Sequence, residues 1–339
     1  MRIDQLGEFG LIDRIRRALP TTGPGVLVGI GDDVAVLEAA ANCVWLATCD
    51  IQVEGVHFLR GKITPQDLGR KALAVNLSDI AAAGGQPRFA LISLGLPNDL
   101  PVEFIDGLYA GLDAEATSFG VSLVGGNISH SRLGLFIDIF LLGQAPRENI
   151  LLRSGAQVGD KILVTGTLGD AAAGVALLLD DTLATDESYA GIARMRRDTP
   201  TPRVREGQWI GAAHQATAMI DVSDGLAGDL GHICELSGIG VRLLADKLPV
   251  AEANRALAAA THADEWYFAL HGGEDYELLF TLPDIQAQEF SAQLTRATGT
   301  PVSVIGEIVP REAGRQLILP DGRIVTLDAH GWDHFKEER

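Results

Sequence analysis

Apolar positions along the 339-residue chain fall into short runs and helix-spaced stripes that succeed one another through both halves. Strand-like runs stand at VLVGI (26–30) and VWLATCDI (44–51), ahead of a helical segment, DLGRKALAVNLSDIAAAG (67–84). A strand at FALISLGL (89–96), a helix at 101–120 and strands at VSLVGG and LGLFIDIFLLG follow. On the helix 67–84, Leu73, Leu77 and Ile80 make the apolar stripe by their spacing. Asn76 and Asp79, three apart, share one edge of it with Ala72 and Ala83. Small side chains would therefore surround that carboxylate and leave room for a ligand.

A polar stretch with a glycine-bearing turn, APRENILLRSGAQVGD (145–160), reads as a linker. After it, KILVTGTLGDAAAGVALLLD predicts strand, turn and helix. AMIDVSDGLAGDLGHICELSG predicts a strand and a helix that ends on the glycine expected just past its terminus. GGEDYELLFTL and PVSVIGEIV read as strands, and LILPDGRIVTL as a hairpin around Pro320-Asp321-Gly322. Mixed helices and strands, partly in hairpins, predict an α+β protein of two α/β domains, divided as 1–147 and 148–339.

Charge narrows the partners. With 27 basic against 45 acidic residues the net charge is −18. That argues against nucleic acid and anionic membrane, which are bound chiefly through Lys and Arg. A phosphorylated ligand would need cations brought in from solution. The three cysteines, Cys43, Cys49 and Cys234, give neither a disulfide scaffold nor a zinc-type spacing. MRIDQLGEFGLIDRIRR lacks the apolar core of a signal peptide, and the apolar segment 133–143 is short and carries Asp138. A soluble, cytoplasmic protein is expected.

The candidate chemistry lies in aspartates. GIGDDVAVLEA (29–39) sets Asp32 beside Asp33, Asp50 closes the strand VWLATCD, and Asp79 sits in NLSDIAAAGG. Asp221 and Asp224 occupy a strand-to-helix junction, MIDVSDGL. Two nucleotide signatures fail. Val34 takes the third-glycine position of a dinucleotide fingerprint, and Ile63 in LRGKIT stands where a Walker motif needs Ser or Thr. Each aspartate alone has a plain reading: a solvated turn for Asp32-Asp33, backbone donors around Asp79, helix capping for Ser223 and Asp224. Capping does not explain Asp221 at the end of an apolar strand. Together the carboxylates suit hard divalent cations, Mg²⁺ above all, which take carboxylates and substrate phosphates as ligands. Such metals would neutralise the cluster and let an acidic protein hold a polyphosphate. TGTLGDAAAG offers either an anion-binding helix N-terminus or a tight βα turn, the turn being the simpler reading.

In order and spacing, GEFGLI, GIGDDVAV, D-x-x-VEGVHF, KALAVNLSDIAA-x-G, VGGN, RSGAQVGD, VTGTLGDAAAG, AMIDVSDGL, GGEDYELLFT and GWDHF resemble the thiamine-monophosphate kinase family over nearly the whole chain. That family belongs to the superfamily of aminoimidazole ribonucleotide synthetase and selenophosphate synthetase. The resemblance implies two α/β domains of that type, the N-terminal one serving ATP, Mg²⁺ and dimerisation, and a homodimer whose N-terminal sheets pair. ATP, the co-substrate, would bind through several Mg²⁺ ions without a P-loop. The implied reaction moves its γ-phosphoryl group to thiamine monophosphate, giving thiamine diphosphate and ADP.

Residue by residue, the resemblance assigns Asp33, Asp50, Asp79, Asp221 and Asp224 to metal, with Thr48 and Cys49 at flanking positions and Asn127 as a further ligand. It assigns Tyr109, Gly126, Asn127, Arg153 and Ser223 to ATP, and His57, Glu274 and Trp332 to the substrate. Two positions depart from the family pattern. Asn127 stands where relatives often carry Asp, and Cys49 replaces a hydroxyl residue although sulfur is a poor magnesium ligand. The implied nucleophile is a phosphate monoester oxygen, largely ionised at neutral pH because its second pKa is ~6, so no residue is assigned as general base. Trp332 would stack on the cationic heterocycle, with Glu274 near its charge. Three rival readings stay open: a ligase of the same superfamily, a two-metal phosphohydrolase and a metal-binding structural module.

Overall fold

The computed structural model describes residues 24–29, 31–39, 42–180, 183, 187–261 and 263–327, together with Gly10 and Ile12. In the N-terminal half the strands are β1 (Val26–Val28), β2 (Ala35–Glu38), β3 (Cys43–Val53), β4 (Gln86–Leu96), β5 (Ser122–His130) and β6 (Phe136–Pro146). They form one sheet in the order β1-β2-β3-β6-β4-β5, antiparallel except for the β4–β5 pair. Register across its centre aligns Asp50 with Ile139, Ile92 and Gly126. Gly126 is required there: a Cβ would lie 1.8 Å from the Ile92 carbonyl oxygen.

Helix α1 (Pro65–Ala82) lies on this sheet and α2 (Val102–Phe119) packs along it. Thr64 starts α1 by accepting the Asp67 N–H on its side chain, with Pro65 in the first turn. The spacing of Leu73, Leu77 and Ile80 predicts a helix with one buried stripe. Instead α1 is buried almost all round, because the sheet, α2 and the second domain enclose it. Small residues allow that approach. A Cβ on Gly207, from the second domain, would fall 2.1 Å from the Ala81 carbonyl oxygen.

The C-terminal half holds β7 (Asp160–Thr165), helices α3 (Asp170–Leu179), α4 (Glu187–Asp198) and α5 (Val204–Ala213), then β8 (Ala218–Asp221) and α6 (Leu226–Ser237). Next come β9 (Gly240–Leu244), α7 (Glu252–Ala260), α8 (Tyr267–His271), β10 (Leu278–Pro283), α9 (Asp284–Thr298), β11 (Val302–Val309), β12 (Arg315–Ile318) and β13 (Ile324–Thr326). Their sheet runs β13-β12-β9-β11-β7-β10-β8. The strand expected over GGEDYELLFTL begins only at Leu278. Residues before it turn away, with Glu274 at φ 68° and Tyr276 at φ 50°, and both border a cleft between the two halves.

One apolar cluster links the two halves, from Leu46, Leu73 and Ile139 through Ile210 to Phe280 and Phe290. A second fills the opposite face of the C-terminal sheet, where Ile220 and Leu279 meet Leu230 and Ile233 of α6. No helix among the described residues is long and apolar enough to cross a membrane.

Candidate active site at the seam of the two domains

The seam opens into a cleft of about 1170 Å³. Asp33 reaches it from the turn before β2, Asp79 from α1 and Asp221 from the end of β8. Each offers a carboxylate oxygen, and the three oxygens lie within 4.8 Å of one another. A strand end and a turn project side chains past the sheets, while the alanines around Asp79 leave space beside it.

Protein partners fix the outer lone pairs. The Ser78 hydroxyl donates to Asp221 at 2.6 Å, and the Thr48 hydroxyl donates to Asp79. The Asn76 side-chain oxygen accepts the Asp50 N–H at 3.1 Å, while its amide nitrogen donates to the Ala72 carbonyl. Arg153 donates through Nε to Asp33 at 2.9 Å and closes an ion pair with it through a second nitrogen. Its backbone N–H donates to Asp32 at 3.2 Å.

One guanidinium does not balance this cluster. Burial, then Asp33 and Asp50, push the Asp221 carboxyl up to about 8. Burial with Asp50, Asp221 and Asp33 raises Asp79 well above the usual carboxylate range. Burial and Asp33 lift Asp32 to about 6. For Arg153 burial alone would favour the neutral form, but Asp33, Asp221 and Asp32 outweigh it and raise its pKa. A buried, all-oxygen donor set with uncompensated negative charge fits a hard divalent cation.

Asp50, Ser223 and Asp224 border the same cleft. The capping role open to Ser223 and Asp224 is not what the structure shows: the N-cap of α6 is Gly225. The carboxylate of Asp229, inside α6, instead accepts the N–H groups of Ser223 and Asp224 at 3.1 and 3.2 Å. This holds the loop after Asp221. His57 and Glu274 line the cleft too, the first from a turn after β3 and the second from the loop ahead of β10.

Other candidate residues stand apart. Cys49 borders the cleft, but its thiol donates to Asp138 at 3.1 Å; burial and that carboxylate push it up to about 12. Tyr109 packs from α2 against the N-terminal core. Gly126 and Asn127 lie on the exposed edge strand β5, and none of these three borders the cleft. Trp332 and the segment GWDHF lie outside the described residues, as does GEFGLI apart from Gly10 and Ile12. Sequence reasoning passed over Lys71, Ser78 and Asp229. A lysine directly ahead of the apolar run ALAV, on the same helix as Asn76 and Asp79, is the signal available for the first.

Comparison with known proteins gives the family. The AIR synthase related protein family matches twice, its N-terminal domain over residues 31–145 and its C-terminal domain over 157–317. Thiamine-monophosphate kinase from Aquifex aeolicus is 37% identical over 99% of this chain and 100% of its own length. The Salmonella typhimurium enzyme of the same name is 40% identical over 97% and 98%. The chain belongs to the thiamine-monophosphate kinase family. A solved structure of AaThiL complexed with AMPPCP and TMP superposes with a TM-score of 0.84 at 36% identity, covering 98% of this chain and 99% of that one. Arg153 falls between the two matched domains, in the segment that joins them, and from there it reaches Asp33.

Proposed function

We propose that this chain transfers the γ-phosphoryl group of ATP to thiamine monophosphate, forming thiamine diphosphate and ADP. The observation that carries the reading is the meeting of Asp33, Asp79 and Asp221, from both halves of the chain, beside Arg153 in one cleft. A relative solved with an ATP analogue and TMP has the same fold over nearly all of this chain.

Asp33, Asp50, Asp79, Asp221 and Asp224, with Thr48, are the residues that would hold Mg²⁺. Bound there, the metal supplies charge neutralisation and polarisation of the phosphoryl oxygens. The chain's own groups do the rest. Arg153, held by Asp33, places a fixed positive charge where two anionic substrates must approach each other. Ser78 and Thr48 orient the carboxylates by donating to them. Asp229 fixes the Ser223–Asp224 loop. No side chain is needed to take a proton, since the attacking phosphate oxygen is already ionised at neutral pH. His57, Glu274 and Trp332 take the role of substrate contacts by family resemblance.

The working form is proposed as a cytoplasmic homodimer. One face of the N-terminal sheet is covered by α1, and the other presents Ile51, Leu91 and Phe140. Cross-strand pairing puts Asn127 on that open face, in one row with Ser93, Asp138 and Ile51. A second copy seated there would meet Asn127, and this supports assigning Asn127 to a site completed by both chains, while Gly126 and Tyr109 keep an ATP role by family resemblance alone.

ADP release measured with and without thiamine monophosphate tests the reading. Release should require both Mg²⁺ and thiamine monophosphate. Equal release without thiamine monophosphate would favour the phosphohydrolase, and none under any condition would favour the structural module.

A further inference from the structure

Lys71 is only 2% exposed, seven positions into α1 among apolar and small residues. A buried ammonium is tolerated only with acceptors in place. Its Nζ stands 2.7 Å from Glu274 Oε1 and 3.4 Å from the His57 carbonyl oxygen. Those acceptors come from different halves of the chain. All three residues border the catalytic cleft.

Each acceptor is anchored separately on its other side. In the His57 turn, Nδ1 accepts the Val53 N–H at 3.0 Å, and the His57 N–H returns to the Val53 carbonyl at 3.0 Å. Glu274 has a left-handed backbone, φ 68°, uncommon for a residue with a side chain. Its N–H donates to the Ser223 carbonyl at 2.7 Å, so the loop is tied to the segment that follows Asp221. Among the described residues the Glu274 carboxylate pairs with Lys71, and its side chain keeps 23% exposure.

We propose that Lys71 is a positioning residue, whose ammonium fixes the spacing between Glu274 and the His57 turn and thereby sets affinity for thiamine monophosphate. The inference rests on the kinase reading above and deepens it. Arg153 and the three clustered carboxylates have other partners, Ser78 and Thr48 among them, so the ATP side should feel Lys71 little. A methionine at this position would keep the volume and remove the charge. The Glu274 carboxylate would then lose its buried partner and turn toward water in the cleft. A strain that is stored in the left-handed loop would favour that departure.

The test is steady-state kinetics of ADP release by the full-length enzyme, with each substrate varied in turn. Lys71→Met should raise KM for thiamine monophosphate roughly ten- to a hundredfold, the scale of a lost charge-assisted hydrogen bond. KM for ATP should stay within about threefold on the same reasoning. Lys71→Arg should restore much of the loss. Combining Lys71→Met with Glu274→Gln should cost clearly less than the product of the two single effects. Equal rises in both KM values, an unchanged KM for thiamine monophosphate or strictly multiplicative effects would each overturn the role. Should Lys71→Met fail to fold, Lys71→Gln takes its place: it must raise KM for thiamine monophosphate selectively, and an unchanged KM for thiamine monophosphate would refute the proposal. A wild type that ignores thiamine monophosphate would instead remove the kinase reading itself.

Discussion

The two sheets of this protein are built on different terms. In the C-terminal sheet, β7, β8 and β10 are buried nearly throughout, and both faces are filled, one by the cluster containing Phe280 and one by that containing Ile220. The N-terminal sheet alternates: Leu46, Ile139 and Ile92 point to α1, whereas Ile51 and Leu91 on the other face stay 44% and 41% exposed. The first sheet is a closed scaffold. The second leaves one face exposed among the described residues. The active cleft forms where the covered side of one meets the strand ends of the other, so neither half alone contains the carboxylate cluster.

That contrast can be broken by substitution. The largest effect should come from Phe280→Ala in the two-sided sheet, a loss of about 3–5 kcal/mol in denaturant unfolding. Leu91→Asp on the open face should leave a folded chain and act on assembly, moving the sedimentation coefficient from dimer toward monomer. If Leu91→Asp unfolded the chain as readily as Phe280→Ala, the two sheets would not differ in the way described.

The next effect concerns pH. Asp221 is raised to about 8 and Asp79 is raised as well, both by burial and by neighbouring carboxylates. Without metal, the folded chain therefore binds protons that the unfolded chain has released. The associated stability is complete at acid pH, below the unfolded carboxylate range, and is lost as pH rises toward 8. Melting of the metal-free protein should thus fall between pH 5 and about 8, and added Mg²⁺ should recover more at pH 8 than at pH 6. A flat profile would mean that these carboxylates are not crowded. Smallest should be the behaviour of Cys49: exposed, yet with its thiol pushed up to about 12 by burial and Asp138, it should alkylate slowly at pH 8. Rapid labelling in mass spectrometry would contradict that.

Much of this was legible in the sequence because strand ends carry their own mark. Asp221 closes an apolar run and ends β8, where a side chain leaves the sheet; Asp50, expected at a strand end, instead lies inside β3, which runs on to Val53 because its pairing with β6 continues to Phe136. The two-domain organisation was legible for a similar reason, since a polar, glycine-bearing stretch at 145–160 separates two sets of elements. Burial of α1 on nearly every side was not, because the helix pattern records one stripe while the sheet, α2 and the second domain cover most of the rest. Helices α4, α5, α7, α8 and α9 lie in stretches for which the pattern predicted no element, several of them short or rich in alanine and charge. The loop at Glu274 looked like strand because its left-handed backbone depends on tertiary anchors, the Ser223 carbonyl and Lys71, rather than on glycine at that position. The Asp229 clamp and the Ser78–Asp221 bond are likewise products of packing and have no local signature.

Asp33 and Asp221, from opposite halves of the chain, are proposed to share one divalent ion. Mn²⁺ binding followed by electron paramagnetic resonance addresses it directly, in the wild type and in Asp33→Asn and Asp221→Asn. Either substitution alone should weaken binding of the same ion by tenfold or more, a scale of about 1.4 kcal/mol or above. Retention of full Mn²⁺ affinity by either variant would place the ion on one half only and contradict the shared site.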